Sequence, residues 1–411
     1  MSVLIKSAKI IDPSSIHNGE VVDLFIRDGK IVRIGKDLQE KASEIIKGKD
    51  LAISPGWVDL LADYCEPGYE YKETLESGMN AAAAGGFTDV LLAPNTQPTV
   101  STKSVVEFIQ KKAAGHEVDI HVVGAVSKNI EGKDLAEMMD MHHSGAIAFS
   151  DGWYPVQDAG LMVKALEYVK AFNGIIIQIP IQASLSKGGL MNESETSLRL
   201  GMSGIPAMAE SLMVHRDIEL LRYSGSKIHF SGVSTPDALK LIKAAKKEGL
   251  AVSCSVTPYH LLFSDENLVG YDSVFKVAPP LRTEAERKLL VKFLEDGTID
   301  CISTHHRSQD WDGKTKEFEY AEYGMIGQET CFPMLVAAAP KITSERWVEL
   351  LSLNPRKIFN LPQVNIQENE IAKLTVFEKD LKWIYTKDSK KSLGINSPFL
   401  NKELMGKARV V

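Results

Sequence analysis

The chain has 411 residues, 44% hydrophobic and 25% charged, which is ordinary globular usage and enough for one large domain plus a smaller one. Its formal net charge is −7, and the lysines and arginines are scattered without a basic block, which excludes a nucleic-acid or anionic-membrane surface. Four widely spaced cysteines (Cys65, Cys254, Cys301, Cys331) exclude a disulfide framework or zinc knuckle, and no apolar run suits a signal peptide or membrane span, so a cytoplasmic location is expected.

Residues 3 to 53 predict short strands (VLIKSAKIID, VVDLFIRDGKIVRIG, DLAISPG), with Asp28-Gly29 turning a hairpin between Ile26 and Ile31. From Gly56 the texture changes to apolar β-branched runs, each followed by a helical stretch: DVLLAPN, DIHVVGAV, GAIAFSD, GIIIQIP, KIHFSGVS, LAVSCSV and TIDCIST. Runs without alternation indicate parallel strands buried on both faces. About eight such units predict an α/β fold, a (β/α)8 TIM-type barrel whose function sits at the C-terminal ends of the strands. After Leu361 strands return (IAKLTVFEKD, LKWIYTK, KARVV). Residues 1–53 and 362–411 are therefore expected to form one β-sandwich domain, with the barrel spanning 54–361. His142-His143, after MMDM, is read as a solvated helix end, and His229 and His260 as core or supporting residues.

Several segments occur in an order and at intervals that resemble the dihydroorotases, cyclic-amide hydrolases of the amidohydrolase superfamily that serve pyrimidine biosynthesis. They are WVDLLADYCEPGYEYKETLESGMNAAAAGGFTDVLLAPNTQPTV at 57–100, AFSDG at 148–152, GGLMNES at 188–194, GIPAMAE at 204–210, VST at 233–235, TPYHLL at 257–262, APPLRTEAER at 278–287, GMIGQET at 324–330 and NSPF at 396–399. The resemblance covers nearly the whole chain and implies an amidohydrolase-type barrel with zinc held at its mouth.

In that family the first barrel strand ends in His-x-His, because side chains two apart on a strand face the same way and can share a metal. Here the triplet is Leu61-Ala62-Asp63, so one position keeps an oxygen donor and the other keeps none. The resemblance places the family's bridging carboxylate at Asp151, its two further histidine ligands at Ile179 and Gly232, and its Asp general base at His305 in the run Thr304-His305-His306-Arg307. The substrate-gripping arginine, asparagine and histidine fall on Cys65, Ala278 and Gln309, whereas Asn95 retains a family contact. Only Asp151 is an unchanged ligand, far short of the roughly three protein donors an open catalytic zinc needs. Asp151 also has a plain reading, as a strand-to-loop turn.

The resemblance, with its ligands lost, implies a noncatalytic dihydroorotase-like protein. Such a protein would act as a structural or regulatory partner, with a homodimer expected and aspartate carbamoyltransferase as the candidate associate. Two alternatives stay open. One is a hydrolase of another cyclic amide using a single zinc on Asp63, Asp151 and His305. The other is a small-molecule binding module with Asn95 and Arg307 as polar contacts.

Overall fold

A computed structural model describes residues 2–411. Among them, eight parallel strands form the barrel: Trp57–Ala62, Phe87–Leu92, Asp119–Gly124, Ala148–Phe149, Ile176–Gln178, Ile228–Phe230, Val252–Val256 and Cys301–Ile302, each paired with its neighbour in chain order. The first and last strands meet through side chains and one bridge. Thr304 donates from its amide and hydroxyl to Asp59, Ser303 Oγ donates to the Leu60 carbonyl, and Asp63 bridges Arg307 in parallel. The apolar runs behave as expected of strands buried on both faces. Val58, Leu60, Leu91, Val123, Ala148, Ile177 and Cys301 fill one cluster, while Trp57, Phe87 and Phe149 pack into a second with the helices.

The helices between strands are set by ordinary local chemistry. Thr74 and Ser77 make a capping box at the start of Leu75–Gly85, Thr283 and Glu286 do the same for Glu284–Glu295, and Thr235 with Pro236 opens Pro236–Lys247. No helix of the described residues is long and apolar enough to cross a membrane.

Both termini contribute to one mixed sheet of seven strands, drawn from Ser2–Pro55 and Leu374–Val410. The hairpin turn lies where its residues predict it, with Asp28 and Gly29 at φ 49° and 72° between Val21–Arg27 and Lys30–Gly35. IAKLTVFEKD and LKWIYTK join as one strand, Leu374–Tyr385, whose pairing with Lys402–Val410 shifts between Glu378 and Lys382. That bulge absorbs the charged interruption that reads as a break in sequence.

Sheet and barrel share a core. Phe377 of the sheet and Phe332 of a barrel helix each lie 5.3 Å from Trp57 between ring centroids. Beneath the barrel, Asp89 takes hydrogen bonds from Arg356 and from Lys373, a residue adjoining the sheet, and meets His121 at 2.8 Å. Burial raises the Asp89 carboxyl, but these partners outweigh it and hold the group well below the usual carboxylate range. His142 is half-buried, stacked on Phe172 at 4.5 Å, so only His143 is a solvated helix end.

Candidate functional site at the barrel mouth

The end of the first strand is re-aimed by a bulge. Leu61 has φ 64°, and strand pairing slips there from Asp59↔Val90 to Ala62↔Leu92. Leu61 therefore joins the apolar interior with Ile179, and Trp153 packs against that cluster. Asp63 follows at the mouth. Its Oδ1 accepts the Cys65 amide at 3.0 Å and its Oδ2 accepts Trp153 Nε1 at 2.9 Å, while Arg307 Nε stands 4.0 Å from Oδ2.

Gly232 cannot be read apart from His305. Gly232 has φ 71°, and a Cβ there would lie 2.3 Å from His305 Cε1. The imidazole thus occupies the space that a side chain at 232 would need. His305 itself has φ 45°, places its Nε2 2.8 Å from Ser231 Oγ, and meets the Trp153 indole edge to face at 5.3 Å. Its Nδ1 is buried with no partner. Burial, reinforced by the charges of His260, His229 and Arg307, brings its pKa down to about 3, so the ring is neutral at physiological pH.

Asp151 faces away from this group. Its Oδ1 accepts the Val126 and Ser127 amides at 2.9 Å each, and its Oδ2 accepts the Ser127 hydroxyl. Asn95 clasps the same turn, donating to the Asp151 carbonyl at 3.2 Å and accepting the Trp153 amide at 3.2 Å. The Cys65 thiol is raised by burial, and secondarily by Asp63. Gln309 donates to the Tyr323 carbonyl at 2.8 Å and leaves Oε1 buried and unpartnered, and Ala278 lines the outer cavity. His306 points into the barrel wall instead, 3.3 Å from Glu73 Oε2, with Nδ1 accepting the Gly327 amide at 3.3 Å.

These donors do not fit a zinc ion. Among the described residues no group of three or more His, Cys, Asp or Glu could hold a metal ion. Asp63 and His305 both meet Trp153, Asp151 is held by Val126 and Ser127 instead, and Leu61, Ile179 and Gly232 offer no side-chain donor. What the positions hold instead is an indole, a neutral imidazole and two aliphatic side chains. Trp153 escapes sequence reasoning although it stands one residue after the recognised AFSDG, since a tryptophan in a turn carries no metal or acid-base signal. Glu73, which anchors His306, escapes it for a similar reason, as a lone acid next to a helix cap.

The Asp151 environment makes a test possible. Burial raises this carboxyl to about 6, partly offset by the hydrogen bonds from Ser127 and Val126. A carboxyl raised in the folded state contributes stability that is complete below its unfolded value and is lost as pH rises through its folded value. Asp151→Asn removes that titration. Relative to the parent, the variant should therefore gain about 2–3 kcal/mol between roughly pH 4 and pH 7.5. Denaturant titrations at both pH values check this, and a difference that stays flat with pH refutes it. Asp217, raised similarly by burial to about 6, is present in both proteins and cancels.

Comparison with known proteins agrees with this architecture. A family model described as Dihydro-orotase-like matches residues 50–238. A protein named Dihydroorotase from Syntrophus aciditrophicus (strain SB) is 38% identical over 412 residues, covering 99% of this chain and 96% of that relative. One of the same name from Pelotomaculum thermopropionicum (strain DSM 13744 / JCM 10971 / SI) is 37% identical over 409 residues, covering 99% and 96%. Among solved structures, the L-hydantoinase (dihydropyrimidinase) from Arthrobacter aurescens superposes with TM-score 0.83 at 23% identity, covering 99% of this chain and 94% of that one. The D-hydantoinase (dihydropyrimidinase) from Thermus sp. gives 0.80 at 21%, covering 100% and 93%, and at such identities both speak for the fold alone. With full-length relatives at this level of identity, the chain belongs to the dihydroorotase-like family.

Proposed function

We propose that this chain is a noncatalytic member of its family, acting as a homodimeric structural or regulatory partner with aspartate carbamoyltransferase as the associate. One observation supports the loss of chemistry: Trp153 and His305 pack over Leu61, Ile179 and Gly232 at the floor of the mouth, where the family resemblance calls for metal ligands. Opening a cyclic amide needs an activated water and a base whose pKa lies near the working pH. His305, at about 3, is too weak a base, and its Nε2 is already engaged by Ser231. Asp151 is held by backbone amides of the neighbouring loop and faces none of these groups. The partner role is supported by contrast, since the barrel, its helix caps and the attached sheet are intact around the altered mouth.

Purified without chelator, the protein should carry less than about 0.1 zinc per chain and show no dihydroorotate hydrolysis above background with added zinc. Two bound metals, or saturable turnover abolished by Asp151→Ala, would overturn the noncatalytic reading. The partner reading is tested by co-expression and size-exclusion chromatography with light scattering. A specific complex should bury at least about 1,000 Å² and persist at roughly micromolar concentration, and separate migration removes this part of the proposal.

A further inference from the structure

Beyond the last barrel strand the chain makes an excursion over residues 310–323, and His306 and Met325 form a parallel bridge at its base. We infer that this excursion is a proton-released strap, docked tightly while the Lys314 amine is neutral and loosened when that amine takes up a proton. The inference goes beyond the noncatalytic and partner readings and rests on neither.

Every hydrogen bond between the strap and the body has a side chain at one end. Among the described residues, no main-chain pair and no ion pair joins 310–323 to the rest of the chain. Two buried lysines supply most of the attachment instead. Lys314, 5% exposed, donates from Nζ to the Ser273 carbonyl of the body and the Glu322 carbonyl of the strap, at 2.7 Å each. Ser273 Oγ donates back to the Lys314 carbonyl at 2.7 Å. From the other side, Lys276, 3% exposed, donates to the Phe318 and Glu319 carbonyls at 2.8 Å each and lies over the Phe318 and Tyr323 rings. The Tyr323 hydroxyl donates to the Gly189 carbonyl, and Gln309 Nε2 to the Tyr323 carbonyl.

Each lysine thus meets only uncharged carbonyls. A buried ammonium without a carboxylate partner loses solvation that neutral acceptors only partly return. Lys314 faces Arg307 and Lys276, of like sign, and Asp272 and Glu322, of opposite sign, and pairs with neither carboxylate. Burial, reinforced by Arg307 and Lys276, brings its amine down to about 7. Burial lowers Lys276 as well, opposed by Glu322 and Glu319, and raises Tyr323, which stays neutral. Opening the strap returns Lys314 to water and to the ordinary lysine value. The open form therefore holds one more proton between about pH 7 and that value, so closure strengthens as pH rises through this window and is indifferent to pH below it. Release also has an apolar consequence. Phe318, 6% exposed, packs with Met191 and Leu268 beside Phe275 and Met202, and an undocked strap bares that cluster.

Hydrogen exchange of the intact chain, read by mass spectrometry on peptides within 310–323 and corrected for intrinsic rates, measures the opening. Protection should rise at least about tenfold between roughly pH 6.5 and 8.5, and stay below that of helix Pro236–Lys247 at both. Lys314→Arg, charged throughout, should give low protection that does not change with pH. Lys276→Met, which removes a repelling charge, should move the rise to higher pH, a displacement that a merely structural lysine would not cause. Parent protection that stays flat across this range, a rise that persists in Lys314→Arg, or strap protection equal to that of Pro236–Lys247 overturns the inference. Should the guanidinium unseat the strap altogether, Lys276→Met carries the test, and an unmoved profile then refutes the proton-released strap.

Discussion

Arg356→Met is expected to lower the unfolding free energy by about 3–5 kcal/mol, the range for removing one partner of a buried ion pair. Arg356 is 1% exposed and donates to the carbonyls of Gly56 and Pro362, to Thr88 Oγ1 and to Asp89 Oδ2. Methionine matches its length but leaves the buried Asp89 with Lys373, His121 and the Thr88 hydroxyl, and takes the donor from the Pro362 carbonyl, whereas the Gly56 carbonyl keeps Ser352. Arg356→Lys should recover part of the loss, since it restores charge without the planar fork. Denaturant unfolding measures both. A loss below about 1 kcal/mol for methionine would show that the pair behaves like an exposed one.

Gly232→His, which puts a histidine where the resemblance expects one, should destabilise the fold by roughly 3 kcal/mol or more without conferring zinc binding. Part of that loss comes from the left-handed backbone at φ 71°, costing a β-carbon-bearing residue about 1 kcal/mol. The remainder comes from displacing an imidazole that sits on an indole inside a packed mouth. Pairing it with His305→Asp, which removes the ring, should relieve the clash, so the double variant should be more stable than the sum of the two changes by about 1–3 kcal/mol. A double-mutant cycle by chemical denaturation measures this coupling. Strict additivity would mean that the ring is not what excludes a side chain at 232.

Much of the architecture is legible because it depends on local pattern. Runs such as DVLLA and SCSV become buried parallel strands, and Asp28-Gly29 makes its turn, since periodicity and φ preference act over a few residues. The split assigned to IAKLTVFEKD and LKWIYTK fails because pairing with Lys402–Val410 carries the strand across its charged stretch, which is a tertiary effect. At the mouth, the sequence shows that Leu61, Ile179 and Gly232 bring no side-chain donor, but not which groups pack over them. Asp63 and Trp153 are 90 positions apart, and nothing near either residue announces the hydrogen bond between them. Asp151 illustrates a different limit: a carboxylate after a strand suits a metal or a turn equally well, and only three-dimensional neighbours show which groups it faces.

The adjacent histidines 305 and 306 face opposite sides of the same wall, one against Trp153 in the mouth and the other against Glu73 behind it. A single peptide unit therefore divides two sets of contacts. The left-handed backbone at His305, φ 45°, sends the two neighbouring rings into different surroundings just beyond the strand Cys301–Ile302. A change confined to the ring at 305 is thus expected to leave the contact between His306 and Glu73 in place.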